Sequence, residues 1–218
     1  MKKLGLGAAA AAAALMCGAN EAAEAQVLDG NWYVHAGPAQ LALADQATMS
    51  LGGTIIPGAT YSSDPQTTAV VEIGRRLTEH WAASATLGAP PKAEAEAAGT
   101  IAGMGLLGSA TYGPMAMTVH YHFNPEGRFQ PYAGAGVSYM HVFNTSDGVM
   151  NNLQVDDTVG PVWQVGAEFQ VSDTWNTFID VKQAYLQTDA TGTIGGAPVM
   201  ADMVFDPFVV NLGVGYRF

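Results

Sequence analysis

From Phe208 to Phe218 every second residue is apolar or aromatic: Phe208, Val210, Leu212, Val214, Tyr216 and Phe218. Between them stand Val209, Asn211, Gly213, Gly215 and Arg217. A period of two is the period of a β-strand whose faces meet different surroundings. One wholly apolar face and one small or polar face suit a barrel wall with hydrocarbon outside and a lumen inside. The pattern recurs upstream. Met115, Met117, Val119, Tyr121 and Phe123 alternate with Ala116, Thr118, His120 and His122. Trp163, Val165, Ala167, Phe169 and Val171 alternate with Gln164, Gly166, Glu168 and Gln170. Such walls need apolar side chains on one face only, so a mean hydropathy of +0.13 is compatible with them.

Eight strands are expected, at about 31–43, 67–77, 80–89, 114–123, 130–143, 162–171, 175–188 and 206–218. The connections after the second, fourth and sixth are short. Those after the first, third, fifth and seventh are long and rich in Gly, Ala, Thr and Asp. Tight turns at one end and long loops at the other mark an up-and-down membrane barrel. The expected fold is all-β: an eight-stranded antiparallel up-and-down transmembrane β-barrel in one domain, residues 26–218. Tyr121, Phe123, Trp175, Tyr216 and Phe218 fall near the short-turn end, where an interfacial aromatic girdle belongs.

The N-terminal stretch reads as a secretory signal peptide, residues 1–25. Lys2 and Lys3 precede an alanine-rich apolar run from Leu4 to Met16, and Ala23-Glu24-Ala25 is a small-x-small cleavage site. The run is shorter than the roughly 20 residues a spanning helix needs. Cys17, the single cysteine, lies in this leader, so a mature chain forms no disulfide. Leu15-Met16-Cys17-Gly18 is a poor lipoprotein box, because the residue before the cysteine should be small. Cleavage removes two of 8 basic and two of 19 acidic residues and leaves the net charge at −11. So few basic groups exclude a nucleic-acid footprint.

Tyr121-His122-Phe123-Asn124-Pro125 followed by Arg128-Phe129-Gln130-Pro131-Tyr132-Ala133-Gly134-Ala135-Gly136-Val137 resembles the OmpW family of eight-stranded outer-membrane proteins. Leu87-Gly88-Ala89-Pro90, Gly113-Pro114, Asp206-Pro207 and Gly213-Val214-Gly215-Tyr216-Arg217-Phe218 fit the same pattern in order. After the third strand the family often has Thr-Pro-Phe and a histidine, and it opens the fourth with a double proline. Here Ala89-Pro90-Pro91-Lys92 and Gly113-Pro114 stand instead, so loop details do not carry over. The resemblance implies the bacterial outer membrane and a narrow, largely hydrophobic lumen. It also implies passage of small hydrophobic solutes, with lateral exit through the wall. Outer-membrane barrels commonly end on an aromatic read by the barrel-assembly machinery, which gives Tyr216 and Phe218 the role of assembly signal.

An eight-stranded barrel is just wide enough for side chains to fill it, so a conduit needs small residues inside. Gly134 and Gly136 are lumen-lining candidates, with Tyr132, Met140, His120 and His122 on the same parity. Two readings stand open: the glycines line a slender cavity, or they permit curvature and close packing. Glu72, Arg76, Glu168, Asp180, Lys182 and Arg217 share the lumen parity, because charge facing lipid is costly. They are expected to pair, as a structural plug or as a gate. Pro38, inside the first strand and without an N–H, is the candidate for a lateral gap.

Catalysis is not expected. His120, His122, Ser138 and Glu168 face the lumen, and no nucleophile signature surrounds Ser138. His120 and His122 make half a metal site but want a third ligand, for which His35 is the neighbour to consider. No metal and no cofactor are assigned. The Asp residues at 45, 64, 147, 156, 157, 189 and 202 show no calcium-ligand spacing. The expected partners are outer-membrane lipid, lipopolysaccharide through bridging divalent cations, the assembly machinery and a small hydrophobic solute. The alternative function is a structural outer-membrane protein or a surface receptor with a filled lumen.

Overall fold

In a computed structural model, residues 31–44 and 46–218 are described. The expected signal peptide, Cys17 and Asp45 therefore lie outside the described residues. Eight strands form the wall: β1 (Trp32–Ala42), β2 (Gln66–Arg76), β3 (Trp81–Gly88), β4 (Leu106–His122), β5 (Phe129–Asp147), β6 (Thr158–Gln170), β7 (Trp175–Ala184) and β8 (Phe208–Arg217). Each pairs antiparallel with the next. β8 returns to β1, with Tyr33 opposite Arg217 and Leu41 opposite Val209, and so closes the barrel. No edge is left within this cylinder, which is what a sheet in hydrocarbon requires.

Residue parity explains the wall. Val71, Ile73, Val119, Val137, Val165, Ile179, Leu212 and Val214 form an outward apolar belt. Glu72, His120, Gln164, Glu168, Asp180 and Asn211 are enclosed. A one-residue slip would exchange the two sets, so hydrocarbon outside fixes the register. At the short-turn end Trp175, Tyr216 and Phe218 make edge contacts at 4.9 and 5.0 Å, and Trp81, Tyr121 and Phe123 at 5.2 and 5.3 Å. Arg75 lies over Trp32 and Arg128 over Phe169 at the same rim. This is the girdle expected there.

The long connections differ from expectation: they are sheet, not loop. β4 and β5 run 17 and 19 residues and continue past the belt. Lys92–Gly99 pairs with the upper part of β4, and Ala59–Ser62 pairs with Lys92–Gly99. Opposite them stands a separate five-stranded sheet in the order Asn151–Val155, Gln187–Ile194, Ala197–Val204, Gln46–Leu51, Thr54–Ile55. Their inner faces meet in an apolar core containing Met49, Tyr61, Leu107, Met150, Leu153 and Ala201. The barrel thus carries an outer extension whose interior is apolar.

The pairing of β3 with β4 is interrupted. It runs in register from Trp81–Tyr121 to Leu87–Met115. Pairing with β4 resumes, one residue out of register, at Lys92–Thr111. Between lie Gly88-Ala89-Pro90-Pro91 on one side and Tyr112-Gly113-Pro114 on the other. Three prolines there supply no N–H to the ladder. Tyr112 N–H donates to the Pro91 carbonyl across this stretch, at 3.2 Å.

Pro38 does not open the wall. It faces outward opposite Ala69. Pairing with β8 skips Gly37 and Pro38, but Ala36–Val214 and Ala39–Asn211 keep one register across the skip. Gly37 lies directly against the Leu212–Gly213 backbone, a close approach that only a residue without Cβ allows. The missing proline donor is absorbed by tight packing, and the gap expected at Pro38 is absent.

Candidate functional site

The lower half of the lumen is a polar plug. Lys182 donates to Glu72 at 2.9 Å and to Asp180 at 2.6 Å, and all three side chains are almost fully enclosed. Asp180 also accepts from Tyr132 and from Gln164, each at 2.7 Å. Glu72 accepts from Thr86 at 2.9 Å. Nearer the short-turn end Glu168 faces Arg76 at 3.7 Å and Arg217 at 3.5 Å, and Arg76 donates to Gln130 at 2.8 Å. His35 bridges the two groups, 3.7 Å from Glu72 and 3.9 Å from Glu168. The six charged residues singled out by parity therefore form two linked ion-pair clusters that span the barrel.

His120 and His122 belong to the plug. His120 stands 3.0 Å from the Tyr33 hydroxyl and 3.1 Å from His122. Both nitrogens of His120 are thus engaged by protein. Among the described residues no three His, Cys, Asp or Glu side chains converge as metal ligands. Ser138 donates to the Met115 carbonyl at 3.0 Å. Among the described residues it makes no hydrogen bond to a histidine.

Gly134 and Gly136 are on the lumen side but front no open space. A Cβ on Gly136 would strike the Met117 carbonyl, and one on Gly134 would meet the His120 Cβ at 2.5 Å. They let β5 lie close on β4, so of the two readings close packing holds for this pair. Tyr132 fills the lumen: it is 3% exposed and its ring packs against His120 and His122. Met140 lies higher, in an apolar layer with Leu41, Tyr112, Leu186 and Phe205. Tyr112 and Phe205 meet edge to face at 5.2 Å and form a septum across the lumen.

Two cavities flank that septum. The lower is walled by Leu41, Val70, Ala116, Val162, Ala184 and Val209, with Asp180, Lys182 and Asn211 as its floor. Gly88, Pro114 and Met115, at the β3–β4 interruption, also line it. The upper cavity lies inside the extension and is lined by Met49, Tyr61, Leu107, Met150, Leu153 and Phe205 among others. From outside inward the order is apolar funnel, apolar septum, apolar chamber, charged plug.

The family model described as OmpW family matches residues 28–218. The chain belongs to the OmpW family. Among its relatives is the dibenzothiophene metabolism operon protein PahQ of Pseudomonas aeruginosa, 29% identical over 86% of this chain and 88% of that protein. Outer membrane protein AlkL of Ectopseudomonas oleovorans is 30% identical over 78% of this chain and 74% of its own length. The solid-state NMR structure of AlkL in lipid bilayers superposes with a TM-score of 0.69 at 28% identity, covering 92% of this chain and 97% of AlkL. The crystal structure of OprG from Pseudomonas aeruginosa shares the fold, with a TM-score of 0.81 at 20% identity, covering 87% and 96%. This OmpW-family chain is accordingly an outer-membrane β-barrel embedded in lipid.

Sequence reasoning missed two things. The septum residues Leu41, Tyr112, Leu186 and Phe205 carry no local signal, because the layer exists only when two strands and two connections meet. The interruption at Gly88–Pro91 and Gly113–Pro114 was readable as a cluster of prolines and glycines at two neighbouring strand ends.

Proposed function

We propose that the barrel admits small hydrophobic molecules through the outer funnel into the lumen chamber and releases them sideways into the membrane. The observation that carries this reading is the order of surfaces along the axis. An apolar solute leaving water for the funnel gains about 25 cal/mol for each Å² it buries. Beyond the chamber it meets Lys182, Glu72 and Asp180, and breaking such an enclosed set costs roughly 3–5 kcal/mol. Sideways release at the β3–β4 interruption avoids that step, because the prolines leave few backbone bonds to separate. The relative whose name ties it to dibenzothiophene metabolism agrees with an apolar aromatic solute. The outward-facing Tyr216 and Phe218, on the strand that closes the barrel, are our proposed mark for the assembly machinery.

The test is uptake of labelled naphthalene by cells carrying the barrel in their outer membrane. Ala184 lines the chamber, and Ala184→Trp fills much of it. With the variant shown to be folded and inserted, uptake should fall to that of cells without the barrel. Unchanged uptake overturns the conduit and favours a structural or receptor role for the outer sheets.

A further inference from the structure

The funnel and the chamber meet at one layer, and the chain crosses that layer in a segment outside any strand. Ala197–Val204 ends and β8 begins with Phe205-Asp206-Pro207 between them. Phe205 lines the upper cavity and Pro207 the lower. The ring facing Phe205 is anchored: Tyr112 stands in β4, and its hydroxyl donates to Gln66 Oε1 at 2.8 Å. Tyr112 is 1% exposed and Phe205 6%, so the open surface of this pair is on Phe205. The backbone behind the Phe205 ring is strained. Asp206 has a φ of 26°, an uncommon value for a residue with a Cβ and one that Asp and Asn tolerate best. Such a conformation persists only where its surroundings hold it. Here the Asp206 carboxylate accepts from the Leu186 N–H at 2.8 Å, and Gln183 Nε2 donates to the Asp206 carbonyl at 3.0 Å. Phe205 N–H donates to the Leu186 carbonyl at 2.8 Å. Leu186 itself lies between β7 and Gln187–Ile194, so two connections brace each other inside the barrel.

We infer that Phe205 sets the largest apolar solute that passes from funnel to chamber, its ring serving as the gate, and that Asp206 is the positioning residue that holds the ring across the lumen. The inference rests on the proposed passage through the chamber. Leu107, Met150 and Leu153 line the space above the ring, and Leu41, Val162 and Ala184 the space below it. With apolar walls on both sides, hydrophobicity does not tell one hydrocarbon from another, and width at the septum does. Turning the Phe205 ring into the upper cavity it already borders is a change of rotamer that breaks no hydrogen bond. Displacing Tyr112 would break its bond to Gln66. A narrow solute such as naphthalene needs a small displacement of the ring. A four-ring solute such as pyrene needs a larger one, which the braced segment opposes. The gate thus selects linear and bicyclic hydrocarbons over larger fused-ring ones.

The experiment is uptake of labelled naphthalene and pyrene, supplied together, by cells carrying the barrel, with uptake by cells lacking it subtracted. The readout is the ratio of pyrene to naphthalene, which does not depend on how much barrel is inserted. Phe205→Leu should raise the ratio roughly tenfold, as the loss of a few carbons at an apolar constriction does. Asp206→Ala keeps the ring but removes the acceptor for Leu186, and should raise the ratio about threefold, the worth of one hydrogen bond. Asp206→Asn keeps an acceptor and tolerates the same φ, and should leave the ratio at that of wild type. An unchanged ratio in Phe205→Leu, with naphthalene uptake still dependent on the barrel, would overturn the gate and leave the conduit standing. Wild-type naphthalene uptake no greater than that of cells without the barrel would overturn both. Should Phe205→Leu not assemble, the Asp206 pair decides: equal ratios in Asp206→Ala and Asp206→Asn would overturn the gate.

Discussion

Lys182→Met removes the one cation from the upper ion-pair cluster while keeping a chain of similar length. Its ammonium lies 2.9 Å from Glu72 and 2.6 Å from Asp180, and side-chain exposures are 8%, 3% and 3%. Without it two carboxylates face each other inside a closed barrel. Deleting one partner of an enclosed ion pair typically costs about 3–5 kcal/mol. The acids keep other donors here: Tyr132 and Gln164 for Asp180, Thr86 for Glu72. The lower end of that range, about 3 kcal/mol, is therefore expected. Urea unfolding of the barrel reconstituted in vesicles measures it. Lys182→Met with Glu72→Gln and Asp180→Asn removes all three charges and should return to within about 1 kcal/mol of wild type, because hydrogen-bonding shape is kept and no lone charge remains. The reasoning is refuted if Lys182→Met alone lies within about 1 kcal/mol of wild type, or if the triple variant is no more stable than the single one.

Further predictions concern the strand contacts and the outer sheet. Gly136→Ala should prevent close approach of β5 to β4 at the Met117 carbonyl and lower the fraction of heat-modifiable folded barrel on a gel, whereas Gly103→Ala, in open space though at a φ of 93°, should affect assembly much less. Asp147 accepts from the backbone N–H of Leu153 and Asn152, at 2.9 Å each, and these bonds hold its carboxyl below the usual range. Its contribution is present above the unfolded carboxylate range and lost as pH falls through the lowered folded value. Amide exchange at Asn152 and Leu153 should therefore be faster in Asp147→Ala at pH 7, with the difference from wild type closing in strong acid. Asp189 sits directly opposite Asp202, and the hydrogen bond between them, with burial and repulsion, raises the Asp189 carboxyl. Asp202→Asn should relieve that pair and slow amide exchange between Gln187–Ile194 and Ala197–Val204 at neutral pH, and unchanged exchange would contradict it.

Much of the barrel was legible because a membrane wall leaves the chain little freedom. Period two fixed which face met lipid, and the cost of charge in hydrocarbon sent Glu72, Asp180, Lys182 and Glu168 inward. The outer sheets were not legible. Lys92–Gly99 alternates charge with alanine, and alanine has little preference for strands, so its partners in β4 decide its conformation. Gly134 and Gly136 illustrate a second limit. Parity assigns a face, but whether a glycine fronts a void or a neighbouring backbone depends on strand separation. Pro38 failed for a related reason: a missing donor opens a wall only where packing does not close it.

The most direct test of the path is photolabelling with a diazirine-bearing alkyl probe on cells displaying the barrel, followed by mapping of labelled residues. The account predicts label at Leu107 and Met150 in the funnel, at Val162 and Ala184 in the chamber, and at Gly88 to Pro91 or Pro114 in the wall. Label on Arg76, Gln130 and Glu168, showing passage straight through the plug, would contradict it.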